Sequence, residues 1–329
     1  MFGRSDHKDW IDQTVLVHVG LHKTATSWLQ QHYLPFSKHG FWVPPLVPGG
    51  QVPIKDIGQR LIADESNYLI PEEDFEPDQL RSILRQFPKP EGLVPVVSNE
   101  RLSGHPMSNG FDRMILARRI RATFPRAKIL VTIREQNAII MSNYMQYLKY
   151  GGWHSPERYI RPLSDARQPA LTFQYWDYEK MVRNYHALFG SENVLVLPQE
   201  MLRRSALNFV ARIASFMDLP LPAQVDGDRE TNPRRPHVPA YCLRWLSVLA
   251  RPSSGNSYFP SPLGPSLGKA LEGGSKALMA AMVPTSLDRQ METFLSRRLA
   301  RMIGDYYAPS NRRTIELIGI DLAQLGYKC

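Results

Sequence analysis

Val15-Leu16-Val17-His18-Val19-Gly20-Leu21-His22-Lys23-Thr24-Ala25-Thr26-Ser27-Trp28-Leu29 is the stretch on which the reading of the whole chain turns. Val15 to Val19 is short, rich in valine and preceded by polar residues, the composition of a buried strand. Gly20 breaks the run. Beyond it Trp28, Leu29, His32 and Tyr33 fall on one helical face, with Thr26 and Ser27 placed to cap the helix start. A glycine turn between strand and helix presents backbone N–H groups to an anion.

Further strands follow in the same style. Leu93–Ser98 is apolar and ends in Asn99, Glu100 and Arg101, and Lys128–Ile133 ends in Arg134 and Glu135. Val194–Leu197 reads as a fourth strand. Helices are expected from Gly110 to Phe124, after Glu135 through Ile140, Tyr144, Tyr147 and Leu148, and from Leu287 to Tyr306. Strands alternating with helices imply an α/β fold with a central, mainly parallel sheet covered on both faces. Ligands of such sheets gather at the C-terminal strand ends, so the polar exits after Val19, Ser98 and Ile133 should meet in one crevice. Residues 43–90, rich in proline and acid, read as a surface insertion with one short helix near Asp78–Phe87, and residues 251–274, dense in Pro, Gly and Ser, as a lid or loop. No repeat divides the chain, and one domain over 1–329 is expected.

With 329 residues, 43% of them hydrophobic, the chain can bury a substantial core, which excludes disordered and miniprotein classes. Its 40 basic and 31 acidic residues leave a formal charge of +9, which favours anionic partners without choosing among them. Cys242 and Cys329 lie too far apart in sequence to suggest a disulfide framework or a zinc cluster, and this usage fits a reducing cytoplasm. Met1–Trp10 is polar and lacks the apolar core of a signal peptide. No window approaches the roughly 18–20 apolar residues of a membrane span.

The ATP-binding pattern GxxxxGK[ST] is absent, because Lys23 follows Gly20 with no second glycine between them. Arg134 stands where a magnesium-holding aspartate would end the strand, which weakens a kinase reading. His18–Leu29 instead resembles the 5′-phosphosulfate loop of sulfotransferases that use 3′-phosphoadenosine 5′-phosphosulfate (PAPS), of the form Gly-x-x-Lys-Thr-Gly-Thr-Thr/Ser-x-x-Leu. Ala25 departs from it, standing where the family has glycine. An alanine there must stay near helical angles or accept strain. The family also places an arginine at a later strand end and a serine eight residues on, matched here by Arg134 and Ser142. The ending, with Ser310-Asn311-Arg312-Arg313 and Gly319-Ile320-Asp321-Leu322, is similar to bacterial members.

The resemblance implies a P-loop NTPase-like three-layer fold and PAPS as donor, with no metal required. Gly20, Lys23, Thr24, Ala25, Thr26 and Ser27 would hold the 5′-phosphosulfate and Arg134 and Ser142 the 3′-phosphate. Arg234 and Arg235, in Asn232–Pro236, resemble a late basic loop that closes over the nucleotide. Val97-Ser98-Asn99-Glu100-Arg101-Leu102 is similar to a Ser-Ser-Glu-x-Leu segment of carbohydrate-directed members. Glu100 is the candidate base, Lys23 would neutralise charge on the leaving oxygen, and His22, inside the loop, would assist. The acceptor expected is a hydroxyl on a glycan, glycolipid or related metabolite, with a phenol, lipid alcohol or amine as the alternative. A non-catalytic basic protein that binds membrane or nucleic acid is the rival class; no nucleic-acid partner is expected.

The remaining candidates have plain readings beside them. His18 fits the core, and His105 and His154 fit the surface. Tyr144, Tyr147, Tyr150 and Trp153 have a spacing that suits core packing and would otherwise serve as a platform for sugar rings. Arg297, Arg298 and Arg301 make one solvated face of a late helix that would also suit anionic lipid. Location in the cytoplasm follows, with peripheral contact at the inner face of the membrane left open, and the oligomeric state is undetermined.

Overall fold

Val15–His18 forms β1, buried at every position, and four more parallel strands assemble around it. They are β2 (Phe41–Trp42), β3 (Val94–Ser98), β4 (Ala127–Ile133) and β5 (Val194–Pro198), in the order β2-β3-β1-β4-β5. All pairs are parallel: His18 aligns with Ser98 on one side and Leu130 on the other, Phe41 with Val94 and Val131 with Val196. The all-parallel sheet flanked by helices is the expected P-loop-like architecture. In this computed structural model the described residues are 9–44, 55–62, 69–149, 152–160, 171–225, 237–244, 273–275, 277–279 and 281–329.

The helices are α1 (Thr26–His32), α2 (Lys55–Ile62), α3 (Pro77–Leu84), α4 (Arg113–Thr123), α5 (Gln136–Lys149), α6 (Pro156–Ile160), α7 (Tyr178–Phe189), α8 (Gln199–Arg204), α9 (Ala206–Phe216), α10 (His237–Cys242), α11 (Thr285–Ile303) and α12 (Ala308–Ile318). By contacts the chain divides into two compact units. The first comprises Met1–Glu135, Gln174–Thr231 and Tyr307–Cys329; the second comprises Gln136–Phe173 and Asn232–Tyr306.

The first unit holds the sheet. Leu16, Val96, Leu130 and Leu197 from four strands meet Trp28, Leu29, Tyr33, Phe209, Val210 and Ile213 from α1 and α9 in one core. Burying such side chains contributes about 1.5–3 kcal/mol each. The C-terminal motif serves this body: Arg313 and Ser310 of α12 bond Glu179 and Asp177 at the start of α7, at 2.6 and 2.7 Å.

β2 and α2 are among the elements not expected from sequence, as are the longer helices α7, α9 and α12. β2 has only two residues, too few for a pattern of alternation, and α2 lies inside the expected irregular insertion. The described parts of that insertion are tied down, with Ile57, Leu61, Leu80 and Leu84 buried. Arg119, itself buried, donates to the carbonyls of Leu61, Ile62, Ile70 and Pro71.

In the second unit α5, α6, α10 and α11 pack together. Tyr144, Tyr147 and Tyr159 form a buried cluster with ring centroids 4.8–6.3 Å apart. The Tyr144 hydroxyl donates to the His154 carbonyl at 2.9 Å, and that of Tyr147 accepts from the N–H groups of Trp153 and His154, both at 3.2 Å. Tyr144 and Tyr147 are therefore core residues and offer no open face to a sugar. Tyr150 lies outside the described residues. Arg298 also leaves its expected place on a solvated face, because it pairs with Glu157 of α6.

Candidate active site

β1 and β3 end on the polar residues His18 and Ser98, β4 carries Thr132 one step before its end, and these residues bond to one another beneath the loop. His18 Nδ1 lies 2.8 Å from Ser98 Oγ, and His18 Nε2 lies 3.2 Å from Thr132 Oγ1. Thr132 Oγ1 is 2.7 Å from Thr24 Oγ1, which donates to the Leu21 carbonyl at 2.5 Å. The last bond orders the rest, since each hydroxyl has one proton to give. Thr24 gives its proton to Leu21, so Thr132 donates to Thr24. His18 Nε2–H then donates to Thr132, and Ser98 donates to His18 Nδ1. Gln30 Nε2 donates to Ser98 Oγ at 3.1 Å, completing the chain. His18 is thus a neutral Nε2–H tautomer, and burial holds its pKa down to about 3.

The loop rests on this floor. Val19 and Leu21 donate backbone N–H groups to Leu130 and Thr132 of β4, at 2.9 and 3.2 Å. A Cβ added at Gly20 would stand 2.2 Å from Thr132 Oγ1 and 2.5 Å from His18 Nε2, so only glycine fits. Lys23 and Ala25 both take left-handed backbone angles, with φ of 71° and 69°. Ala25 therefore accepts strain rather than staying near right-handed helical angles. It is also the residue that precedes α1, and the expected side-chain caps are not made: Thr26 and Ser27 lie within the helix, whose N-cap Ala25 has no side-chain hydrogen bond.

Arg134, at the end of β4, reaches this loop. Its Nη1 donates to the Lys23 carbonyl at 3.4 Å, bringing together two motifs far apart in sequence. The Tyr178 hydroxyl of α7 donates to the Arg134 carbonyl at 2.5 Å, and Glu200 of α8 accepts the Glu135 N–H at 3.0 Å. Burial lowers the Arg134 pKa from its ordinary value, helped by Arg203 and opposed by Glu200 and Glu135. Arg134 Nε, Thr26 Oγ1 and His22 Nδ1 are buried polar atoms without partners. Orphans of this kind are rare in native structures and call for a ligand or solvent. Two donors and a left-handed loop beside an exposed lysine suit a phosphate-like anion.

Glu100 opens a short 3-10 turn after β3 (Glu100–Ser103), with the preceding Asn99 accepting the Arg101 N–H at 2.9 Å. It is half-buried. α2 packs here: a Cβ on Gly58 would meet Asn99 Cβ at 2.5 Å. Arg101 pairs with buried Asp112; burial works against the Asp112 carboxylate, but Arg101 and the His105 N–H, at 3.0 Å, hold its pKa below the ordinary value. His105 faces His22 edge-on with ring centroids 6.5 Å apart. Its Nδ1 accepts the Met107 N–H at 3.1 Å, which places the proton of the neutral ring on Nε2. His22 is pushed down to about 3 by burial first, then by His105, Arg101 and Lys23.

The expected site residues thus divide. Gly20, His22, Lys23, Thr24, Ala25, Thr26, Ser27, Glu100 and Arg134 belong to the first unit and surround the ends of three adjacent strands. Ser142 is a half-buried residue of α5 in the second unit. Arg234 and Arg235 lie outside the described residues. His18, Ser98, Thr132 and Gln30 were not singled out for the site from sequence, although polar residues ending three otherwise apolar strands were the visible sign of them. Among the described residues no three His, Cys, Asp or Glu side chains are grouped to hold a metal ion, and no helix is long and apolar enough to cross a membrane.

Residues 113–223 match a model described as Sulfotransferase family, a span that includes Arg134 but begins after the β1 loop and Glu100. No curated protein matches the sequence. Among solved structures, a sulfotransferase from Alicyclobacillus acidocaldarius is 17% identical with a TM-score of 0.54, covering 95% of this chain and 99% of its own, which establishes the shared fold. The sulfotransferase domain of the curacin biosynthetic pathway is 15% identical over 67% of this chain and 80% of its own, with a TM-score of 0.39. That of the Synechococcus PCC 7002 olefin synthase is 16% identical over 86% and 100%, with a TM-score of 0.38.

Proposed function

We propose that this chain, whose residues 113–223 match a model described as Sulfotransferase family, transfers the sulfuryl group of PAPS to an acceptor hydroxyl on a glycan, glycolipid or related metabolite in the cytoplasm. The observation that carries this reading is the contact of Arg134 with the Lys23 carbonyl, which sets a guanidinium beside a loop suited to an anion. The donor, when bound, supplies a sulfuryl group already activated on phosphate. Lys23 and the backbone of residues 20–27 hold the 5′-phosphosulfate, with the orphaned Thr26 hydroxyl as a further ligand. Lys23 offsets negative charge on the leaving oxygen. Thr24 contributes through its backbone, because its hydroxyl is committed to Leu21. Arg134 binds the 3′-phosphate; Ser142 and the pair Arg234 and Arg235 are assigned to the nucleotide on sequence resemblance alone.

Glu100 takes the proton of the acceptor hydroxyl as general base. His22, neutral at physiological pH, assists as a hydrogen-bonding group through its unpartnered Nδ1. The choice of a carbohydrate hydroxyl rests on the likeness of Val97–Leu102 to carbohydrate-directed members. The packing of α2 at Asn99 makes the insertion a natural wall of the acceptor side.

The test is calorimetric titration with 3′-phosphoadenosine 5′-phosphate, with adenosine 5′-phosphate as control, on the parent and on Lys23→Ala and Arg134→Ala. Charge-assisted hydrogen bonds contribute about 1.5–3 kcal/mol, so each variant should bind roughly tenfold to a hundredfold more weakly. Absence of any preference for the 3′-phosphate would remove the assignment. A screen of glycans against phenols, lipid alcohols and amines then identifies the acceptor.

A further inference from the structure

We propose that the outward face of α11 is a docking surface for a bilayer containing anionic phospholipid. α11 has 19 residues and buries Leu295, Leu299 and Ile303. On the opposite side Arg289, Thr293, Arg297 and Arg301 follow one another at intervals of four, which stacks them in a single stripe about 18 Å long. With Gln290 and Phe294 they line an open groove of about 590 Å³.

Two features identify the partner. The first is charge. The acidic residues of α11, Asp288 and Glu292, fall by helical position on the side of Leu295 and Leu299. Asp288 is moreover engaged by the His237 backbone N–H at 2.6 Å and ring Nδ1 at 3.2 Å. The outward face therefore carries three arginines and no carboxylate, whereas Arg298 turns aside to Glu157.

The second feature is apolar. Phe294 and Leu287 share that face and are 47% and 49% exposed, and Met282 and Leu278, just before the helix, are 72% and 65% exposed. A soluble polyanion has no use for four exposed apolar side chains, while a lipid surface takes both kinds of group at once: guanidinium at the headgroup phosphate and Phe or Leu at the acyl boundary.

The test is co-sedimentation of the full chain with vesicles of phosphatidylcholine, with and without phosphatidylglycerol. Binding should require phosphatidylglycerol and weaken with salt. Arg297→Gln with Arg301→Gln should reduce partitioning about fivefold per arginine. Phe294→Ser should reduce it by a similar factor, and Arg126→Gln, an exposed arginine elsewhere, should leave it unchanged. Equal binding to both vesicle types, or binding indifferent to the α11 variants, overturns the proposal. So does competition by dextran sulfate combined with no effect of Phe294→Ser, which would assign the stripe to a soluble polyanion. All substituted side chains are solvent-facing, and the melting temperature of each variant should match the parent.

Discussion

Replacing Ala25 by glycine should stabilise the first unit, whereas the same substitution in a helix should destabilise it. Ala25 sits at φ 69° and ψ 18°, a conformation that costs an L-residue with a Cβ about 1–2 kcal/mol. Glycine relieves that cost. Against it stand the greater freedom of glycine in the unfolded chain, about 0.4–1 kcal/mol, and the lost methyl, which packs at the edge of the core and contributes about 0.4 kcal/mol when half-buried. The net gain is small, about 0.5 kcal/mol. A reference site makes it decisive. Ala211 is also half-buried and lies in the middle of α9 in the same unit, where the change to glycine costs about 1 kcal/mol. Unfolded-state and methyl contributions are alike at the two positions, so Ala25→Gly and Ala211→Gly should differ by about 1–2 kcal/mol in urea-unfolding free energy. Equal destabilisation by both would refute the left-handed assignment at Ala25. Because Thr24 already anchors the loop through Leu21 and Thr132, affinity for 3′-phosphoadenosine 5′-phosphate should stay within about threefold of the parent; a gain near the full strain, about fivefold to thirtyfold, would mean the free loop relaxes and is strained only on binding.

Gly20→Ala should disrupt the same loop, since the added Cβ would stand 2.2 Å from Thr132 Oγ1 and 2.9 Å from Thr26 Oγ1; unfolding free energy should fall by about 1–3 kcal/mol and nucleotide binding should be lost, and a variant with parent stability and affinity would show the approach is not so close. Acid should weaken the fold through its buried histidines. His18 and His22 are held near 3 in the folded protein against about 6.5 unfolded, so the unfolded chain binds more protons between these values. Their contribution is complete above pH 6.5 and is lost progressively as pH falls toward 3, by about 1.4 kcal/mol per pH unit for each histidine. Urea titrations at pH 7, 6 and 5 should show this slope, and His18→Asn should reduce it by one histidine's share; a flat profile would disprove neutral burial.

Most of the sheet was legible because the long strands announce themselves twice, by an apolar run rich in β-branched residues and by a polar exit. β3 and β4 begin within one residue of the expected starts, and β5 matches its expected start. The amphipathic helices α7, α9 and α12, 11 to 12 residues each, were not read although their apolar spacing lies in the sequence, and the other missed elements are short or held from elsewhere. β2 has two residues and pairs with β3 through Phe41 and Val94, information that resides in the partner strand. α2 sits in a proline-rich stretch where local propensity says little; its buried Ile57 and Leu61 and the carbonyls taken up by Arg119 are tertiary terms. The tyrosines of α5 illustrate the opposite ambiguity, since helical spacing shows that residues share a face and leaves open whether another helix covers it.

In the site, spacing showed which residues belong near the loop but not what the loop rests on. His18 was legible as a core residue, yet its task emerges only when β3 and β4 bring Ser98 and Thr132 to its two ring nitrogens. Once those bonds exist, the proton direction is fixed from Leu21 back to Ser98, and every member needs its neighbour in one tautomer. A second proton on His18 would put an N–H where Ser98 now donates, forcing that hydroxyl to reverse. Ser98 could accept from both His18 and Gln30 of α1, but its own proton would then need a new acceptor in a buried site, and that cost opposes protonation. The glycine at position 20 belongs to the same constraint: with any side chain there, the loop could not lie close enough for Thr24 to close the chain. The alanine at position 25 is then held in a left-handed conformation because its neighbours on both sides are fixed, Thr24 by this network and Trp28 by the core.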